Sequence, residues 1–152
     1  MQRPFGVSDR YLAEVIIMSG ELILIVEDNE KNLKLFRDIL QFKGYRTLEA
    51  RTAQDAIRLA KSGQPDLILM DIQLPDTDGM SALRQLREES RTASIPVVAL
   101  TAFAMKNDRE RFLEAGFDGY LDKPINVREF PEQVRQFCET GRKSHSKGFQ
   151  EV

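Results

Sequence analysis

The sequence is short of the residues that build several common kinds of site. It has one cysteine, Cys138, and one histidine, His145, among 152 residues. A single cysteine excludes an intramolecular disulfide and is typical of a reducing compartment, so we expect a cytoplasmic protein. The lone histidine lies in a polar stretch near the C-terminus, which argues against a histidine-based catalytic or metal site.

Excess charge of one sign and long apolar runs are also missing. The formal net charge is −2, which gives neither a basic footprint for nucleic acid nor a polybasic membrane anchor, so we expect no direct DNA binding. No apolar run approaches the roughly 20 residues that span a bilayer, so we expect no membrane insertion. With 41% hydrophobic and 30% charged residues, the composition predicts a soluble chain with one hydrophobic core.

Strand and helix signals alternate regularly from residue 22 onward. Continuous aliphatic runs predict buried strands over 22–26, 67–70 and 95–100, and shorter strands are predicted over 45–50 and 119–121. Helical periodicity predicts helices over 30–42, 52–61, 104–115 and 127–138, and one more that ends near 89. Such alternation predicts an α/β fold with a parallel sheet and helices on both faces. We expect one domain over 21–140, a flexible extension over 1–20 and a disordered tail over 141–152.

Chemically useful side chains follow four of the five predicted strands. Glu27 and Asp28 follow the first, Asp71 the third, Thr101 the fourth and Lys123 the fifth. Parallel strands present their carboxyl ends along one edge of the sheet, and ligands bind there. Three carboxylates, a hydroxyl and an ammonium should therefore meet at one place.

Three carboxylates at short range raise one another's pKa values, and a hard divalent cation removes that cost. Mg²⁺ prefers oxygen ligands and is commonly held by one or two carboxylates and phosphate oxygens. Mg²⁺ and Lys123 together balance the three acids. No Gly-rich phosphate loop follows the first strand, and no Ser or Cys nucleophile with a His partner is present. What remains is a carboxylate nucleophile, a group that can form an aspartyl-phosphate, and Asp71 at the end of a buried strand is the candidate.

Each of these residues also has an ordinary explanation. Asp71 could end a strand, Thr101 could cap a helix and Lys123 could be a solvated loop charge. The combination at one edge carries the hypothesis, and two competing functions stay open beside it. A binding module that works without phosphorylation would have lost one of these groups. A phosphohydrolase would place a second acid two residues after the nucleophile, where Gln73 stands.

The chain resembles the receiver domains of two-component response regulators over about residues 21–140. The matching segments are Ile23–Asn29, Pro65–Pro75, Val97–Ala102 and Lys123-Pro124. Within that family, residues 72–75 and 101–106 look most like the stand-alone cell-division regulators of the DivK type. The resemblance implies a flavodoxin-like (βα)5 three-layer sandwich whose parallel five-stranded sheet has the order 2-1-3-4-5.

The resemblance also implies a role for each matching residue. Asp71 would be the phosphoacceptor, Lys123 and Thr101 would bind the phosphoryl group, and Thr101 and Tyr120 would form the switch pair. A cis peptide bond is expected before Pro124. The implied ligands of Mg²⁺, for which Mn²⁺ can substitute, are Glu27, Asp28, Asp71 and the backbone carbonyl of Gln73.

The implied function is that of a single-domain response regulator in a phosphorelay. It would take its phosphoryl group from a sensor histidine kinase or a histidine phosphotransfer protein and act on a downstream regulatory protein. It would be no enzyme apart from catalysing its own phosphorylation and dephosphorylation. About 14 residues follow the last predicted helix, so output is expected through protein contact.

The first predicted helix carries two apolar stripes at helical spacing. We expect one stripe, Leu35, Ile39 and Phe42, to face the sheet. We expect the other to contact the kinase or phosphotransfer protein, with a partly buried flank as the alternative. That second stripe consists of Leu33, Phe36 and Leu40.

Overall fold

The computed structural model describes residues 20–102 and 106–141. Five strands alternate with five helices along this part of the chain. The strands are β1 (Leu22–Val26), β2 (Arg46–Ala50), β3 (Leu67–Asp71), β4 (Val97–Thr101) and β5 (Gly119–Asp122). The helices are α1 (Glu30–Phe42), α2 (Ala53–Gly63), α3 (Gly79–Glu88), α4 (Lys106–Ala115) and α5 (Phe130–Thr140).

The five strands form one parallel sheet in the order β2-β1-β3-β4-β5. This confirms the predicted flavodoxin-like α/β fold. The chain moves outward from β1 to β2 and then returns to the other side of β1 to form β3, so the loops that follow β1 and β3 diverge and open a crevice between them. Among the described residues, no helix has both the length and the apolar character needed to cross a bilayer.

Alternate residues of the strands fill two separate cores, one on each face of the sheet. Ile23 and Ile25 of β1 pack with α1 and α5, whereas Leu24 and Val26 pack with α2, α3 and α4. All five residues of β3 and of β4 are buried. The central strands are therefore covered on both sides, which is why their sequences are almost continuous aliphatic runs. The strand ends that carry polar groups are held on a rigid support.

Three helices that start at the carboxyl edge of the sheet have side-chain N-caps. Asn29 caps α1 by accepting from the amide of Asn32 at 3.0 Å, and Thr52, the predicted cap, caps α2. Asp78 caps α3 by accepting from the amide of Ser81 at 2.7 Å. Each cap satisfies a backbone amide that has no partner within the helix. The caps also fix where the preceding loops end.

Several element boundaries differ from the predicted ones for local reasons. β4 begins at Val97 and not at residue 95, because Pro96 has no amide N–H to offer a neighbouring strand. α5 begins at Phe130 and not at 127, because the side chain of Asn126 accepts from two following amides and holds a turn there. The described residues do not include positions 104 and 105 of the predicted helix 104–115. Of the predicted segments 1–20 and 141–152, they include Gly20 and Gly141 alone.

The orientation predicted for α1 is wrong, because the two apolar stripes are interchanged. Leu33, Phe36 and Leu40 are buried against the sheet, and the ring of Phe36 lies 5.4 Å from that of Phe130 on α5. In the other stripe, Ile39 is partly buried, while Leu35 is 41% exposed and Phe42 is 84% exposed.

The interchange has a simple physical reason. Both stripes satisfy helical spacing and lie roughly 130° apart around the helix, at about 100° per residue. Periodicity alone therefore cannot decide between them, and contact with α5 does. The predicted contact of Leu33, Phe36 and Leu40 with a kinase or phosphotransfer protein is wrong, because these side chains belong to the core.

Replacing Leu33 with Ala is expected to lower the free energy of unfolding by about 2–5 kcal/mol, because it leaves a cavity under α1. Replacing Leu35 with Ala on the same helix is expected to change it by less than about 1 kcal/mol, since Leu35 is largely solvated. Urea denaturation measures both values. Equal losses for the two variants would contradict the orientation of α1.

Candidate functional site

A cleft of about 750 Å³ lies at the carboxyl edge of the sheet. It is bordered by the loops that follow β1, β3, β4 and β5, and by one side of α4. The sequence-predicted residues that line this cleft are Glu27, Asp28, Asp71, Gln73, Thr101 and Lys123. The fold thus brings together groups that are up to 96 residues apart in the chain, as the positions of the strand ends predicted.

Three carboxylates form the centre of the cleft. Glu27 and Asp71 are buried, with 1% and 6% of their surfaces exposed, and Asp28 is exposed. One carboxylate oxygen from each of the three lies within 4.8 Å of the others. Buried carboxylates this close together need a compensating positive charge.

Lys123 supplies part of that charge from the end of β5. Its Nζ lies 2.6 Å from Oε1 of Glu27 and 2.8 Å from Oδ2 of Asp71. Burial acts to lower the pKa of Lys123, but the hydrogen bonds and charges of the two carboxylates outweigh it and raise that pKa above its ordinary value. The ammonium therefore remains charged and bridges the two buried acids.

Glu27 is the carboxylate that burial affects most strongly. Burial, together with the hydrogen bond and the charge of Asp71, raises the pKa of Glu27 to about 7, while Lys123 opposes the rise. The amide of Asn29 donates to Oε2 at 3.3 Å, and Nδ2 of Asn32 donates to Oε1 at 3.4 Å. Near neutral pH the carboxyl group of Glu27 is therefore partly protonated, and a bound cation would favour its charged form.

The second oxygen of Asp71 is engaged by its own loop. Oδ1 accepts from the amide of Gln73 at 2.9 Å, and the amide of Gly79 donates to the carbonyl of Ile72 at 2.7 Å. A Cβ at Gly79 would lie 2.8 Å from the carbonyl oxygen of Asp71, so the return of the loop needs a glycine there. The loop places Asp71 at the floor of the cleft with its carboxylate oriented.

Thr101 and Tyr120, the predicted switch pair, occupy different places. Thr101 is 4% exposed and lines the cleft, and its carbonyl accepts from the amide of Lys123 at 2.8 Å. Tyr120 lies outside the cleft lining and packs partly buried against the core that includes α4. The guanidinium of Arg109 lies 6.0 Å from the centre of its ring. The expected cis peptide bond between Lys123 and Pro124 is confirmed.

Some residues of the cleft were not predicted from the sequence. Asn32 could have been found, because it lies one turn into α1, next to the end of β1. Asp108, Arg111 and Phe112 reach the cleft from α4, and no motif indicates this. Whether these three side chains line the cleft depends on how α4 packs against the sheet.

The donor set suits a hard divalent cation. Each of the three candidate charged ligands offers a carboxylate oxygen, and none of the described residues that line the cleft offers a sulfur ligand. Lys123 contacts two of the three carboxylates. Mg²⁺ typically binds one or two carboxylates, keeps several waters and completes its shell with phosphate oxygens. The residues present therefore fit Mg²⁺, with Glu27, Asp28 and Asp71 as the charged ligands.

Comparison with known proteins agrees with this geometry. The sequence pattern of the family described as response regulator receiver domain matches residues 23–135. The polar-differentiation response regulator DivK of Brucella ovis is 46% identical over 115 residues, which cover 76% of this chain and 94% of that protein.

Solved structures show the same likeness. The receiver domain of a sensor histidine kinase from Pseudomonas aeruginosa, crystallised with a magnesium ion in its active-site cleft, is 37% identical. It superposes with a TM-score of 0.72 over 78% of this chain and 98% of its own. A CheY-like receiver domain protein from Methanospirillum hungatei is 29% identical and has a TM-score of 0.72 over 79% of this chain and 94% of its own. The chain belongs to the response regulator receiver domain family.

Proposed function

We propose that this response regulator accepts a phosphoryl group on Asp71 from a phosphohistidine, with Mg²⁺ held by Glu27, Asp28, Asp71 and the backbone carbonyl of Gln73. The observation that carries the proposal is the pair of contacts from Lys123 to Glu27 and Asp71 beside the third carboxylate. Mn²⁺ can take the same oxygen ligands and is proposed to substitute.

The transfer requires positioning and charge neutralisation more than covalent chemistry from other residues. A carboxylate oxygen of Asp71 attacks phosphorus, the P–N bond of the phosphohistidine breaks, and its electron pair stays on the imidazole nitrogen, which takes up a proton. Bound Mg²⁺ supplies neutralising charge at the phosphoryl oxygens. Lys123 is already 2.8 Å from Asp71 and can donate to one of those oxygens.

Removal of the phosphoryl group from Asp71 is proposed to use the same groups. Water attacks phosphorus and the acyl-phosphate P–O bond breaks, which returns inorganic phosphate and the free carboxylate of Asp71. This self-dephosphorylation is the only other reaction that we propose for the site. No separate substrate is turned over.

Phosphorylation is proposed to act on the surface through Thr101 and Tyr120. The hydroxyl of Thr101 would move to donate to a phosphoryl oxygen. Tyr120, on the neighbouring strand β5, would turn into the space that Thr101 leaves. Its ring would then leave the guanidinium of Arg109, and α4 would shift with it. A downstream regulatory protein would read the altered surface.

The exposed stripe of α1 is the proposed contact for the phosphohistidine donor, a sensor histidine kinase or a histidine phosphotransfer protein. Leu35 lies on the solvent side of the helix whose first turn borders the cleft, with Ile39 partly buried one turn further along. An exposed apolar stripe next to a reactive group is typical of a surface that binds a partner.

Incubation with acetyl phosphate and Mg²⁺ is expected to add one phosphoryl group to the native protein and none to the Asp71→Asn variant, since an amide oxygen is a poor nucleophile. Intact-protein mass spectrometry measures the addition. Asp122→Asn, an exposed acid at the end of β5, is the matched control and should be labelled like the native protein. Equal labelling of the Asp71 variant would refute the proposal, and so would the absence of label on the native protein.

The raised pKa of Glu27 predicts a pH dependence of stability in the absence of metal. Between its ordinary pKa and about 7 the folded state holds a proton that the unfolded state has lost. This group's contribution to stability is therefore complete below about pH 4.5 and is lost as the pH rises through about 7. Relative to Glu27→Gln, which cannot titrate, native stability in chelator should fall by on the order of 1–3 kcal/mol from pH 5 to 8.

Denaturant unfolding at several pH values measures this difference. Saturating Mg²⁺ should reduce or reverse the fall, because the metal binds the deprotonated carboxylate. The control is Glu30→Gln, which changes an exposed acid three residues away and should give a difference that does not vary with pH. If the difference in stability between the native protein and Glu27→Gln is also the same at every pH, Glu27 does not titrate in this range.

Replacing Leu35 with Asp is expected to slow phosphotransfer from a histidine phosphotransfer protein about tenfold or more, because it places a charge in the apolar contact. Phosphorylation by acetyl phosphate should not change. Leu113→Asp on α4 is the matched control, since both leucines are 41% exposed. Equal transfer rates for the native protein and the Leu35 variant would exclude this stripe as the donor contact.

A further inference from the structure

The turn between β2 and α2 contacts two loops of the site although it does not line the cleft. β2 lies at the outer edge of the sheet, and neither it nor the turn contributes a side chain to the cleft lining. Arg51 nevertheless contacts the loop that follows β1, and the first two residues of α2 contact the loop that follows β3. The first of these loops carries Asp28, and the second carries Gln73.

Asp76, at the tip of the second loop, accepts hydrogen bonds from the N-terminal end of α2. Its Oδ1 accepts from the amide of Ala53 at 2.9 Å, and its Oδ2 accepts from the amide of Gln54 at 3.0 Å. Burial acts to raise the pKa of Asp76, but these bonds and those from its own amide and the amide of Thr77 lower it below the ordinary value. The carboxylate is thus held in its charged form against the positive end of the helix.

The other described contacts of that loop run within the loop, to the core, and to β4, where the carbonyl of Leu100 accepts from the amide of Ile72 at 3.0 Å. Gln73 forms an isolated antiparallel bridge with Asp78, the amide of Gly79 donates to Ile72, and Leu74 packs partly buried against the core. None of these contacts relates the loop to the neighbouring loop that carries Asp28. Asp76 ties it to a separate element, 23 residues earlier in the chain.

Arg51 makes the corresponding contact with the first loop. Its Nη2 donates to the backbone carbonyl of Asp28 at 3.1 Å, and its Nη1 lies 3.4 Å from Oε1 of Glu30. Arg51 directly precedes the helix cap Thr52, so its backbone is fixed by the start of α2. Arg51 therefore holds the backbone of one proposed metal ligand, and the first two amides of α2 hold the tip of the loop that bears another.

We infer that Arg51 and Asp76 are positioning residues, which join the loops carrying Asp28 and Gln73 to the N-terminal end of α2 and thereby set the affinity for Mg²⁺. The inference rests on the proposed function. Mg²⁺ requires near-ideal octahedral geometry with ligands about 2.1 Å away, so loops that move independently bind it more weakly. Groups that orient metal ligands without touching the metal typically change affinity about 10- to 100-fold when removed.

A purely structural role is the alternative, since Asp76 also satisfies amides at the start of α2. Thr52→Ala is the matched control, because Thr52 caps the same helix through the amide of Asp55 and touches neither loop through that bond. Asp76→Ala is expected to weaken Mg²⁺ binding on the order of tenfold, and Thr52→Ala less than about twofold, at comparable losses of stability. Titration calorimetry with Mg²⁺ alone gives the dissociation constants.

The control for Arg51 is a variant that removes a different contact of the same arginine side chain. Arg51→Ala removes the bond to the carbonyl of Asp28 and should weaken Mg²⁺ binding several-fold. Glu30→Gln removes only the ion pair with Arg51 and should leave Mg²⁺ binding unchanged. At saturating Mg²⁺, the Asp76 and Arg51 variants should accept phosphoryl from acetyl phosphate at the native rate, since the reacting groups are intact.

Amide hydrogen exchange on the native protein tests the same coupling without any substitution. If Asp76 links the metal to α2, bound Mg²⁺ must slow exchange at Ala53 and Gln54, because energetic coupling is reciprocal. Unchanged exchange there, or unchanged dissociation constants for Asp76→Ala and Arg51→Ala, would overturn the inference while native Mg²⁺ binding persists. A native protein that binds no Mg²⁺ would instead overturn the proposed function.

Discussion

The ammonium group of Lys123 allows two buried carboxylates to lie side by side at the edge of the sheet. Nζ is within 2.8 Å of both Glu27 and Asp71, whose side chains are almost inaccessible to water. Even so, burial raises the pKa of Glu27 to about 7, because a buried carboxylate loses its hydration. Lys123 contacts two of the three carboxylates of the cluster, which favours a second cation, and with both present an incoming phosphoryl group would meet neutralised charge.

The parallel sheet makes this arrangement possible by bringing distant parts of the chain to one edge. β1 and β3 are buried on both faces and supply the acids, β5 supplies the lysine, and side-chain caps fix the starts of α1, α2 and α3. The outer strand β2 adds no group to the cleft lining, yet Arg51 after it and the first amides of α2 contact the loops that carry Asp28 and Gln73. Residues outside the cleft lining thus hold two of the loops that border it.

The fold and the central groups were predictable from the sequence because parallel strands end at one edge, and acids, a hydroxyl and a lysine stand at those ends. The orientation of α1 was not predictable, since both of its stripes have helical spacing and only the packing of Phe36 on Phe130 selects one. The role of Asp76 was equally hidden, whereas the position of Asn32 near the end of β1 could have indicated its place in the cleft. Asp76 accepts from amides 22 and 23 residues earlier in the chain, and neither periodicity nor motif describes such a contact.

Asp71 is proposed as the single residue that carries the phosphoryl group, and chemical trapping can identify that residue. Borohydride reduces an acyl phosphate to an alcohol, so treatment with acetyl phosphate and Mg²⁺ followed by reduction converts a phosphorylated aspartate to homoserine. Peptide mapping by mass spectrometry then identifies the position. We expect homoserine at position 71 and at no other aspartate. Homoserine at Asp28 or elsewhere, or none at all, would contradict it.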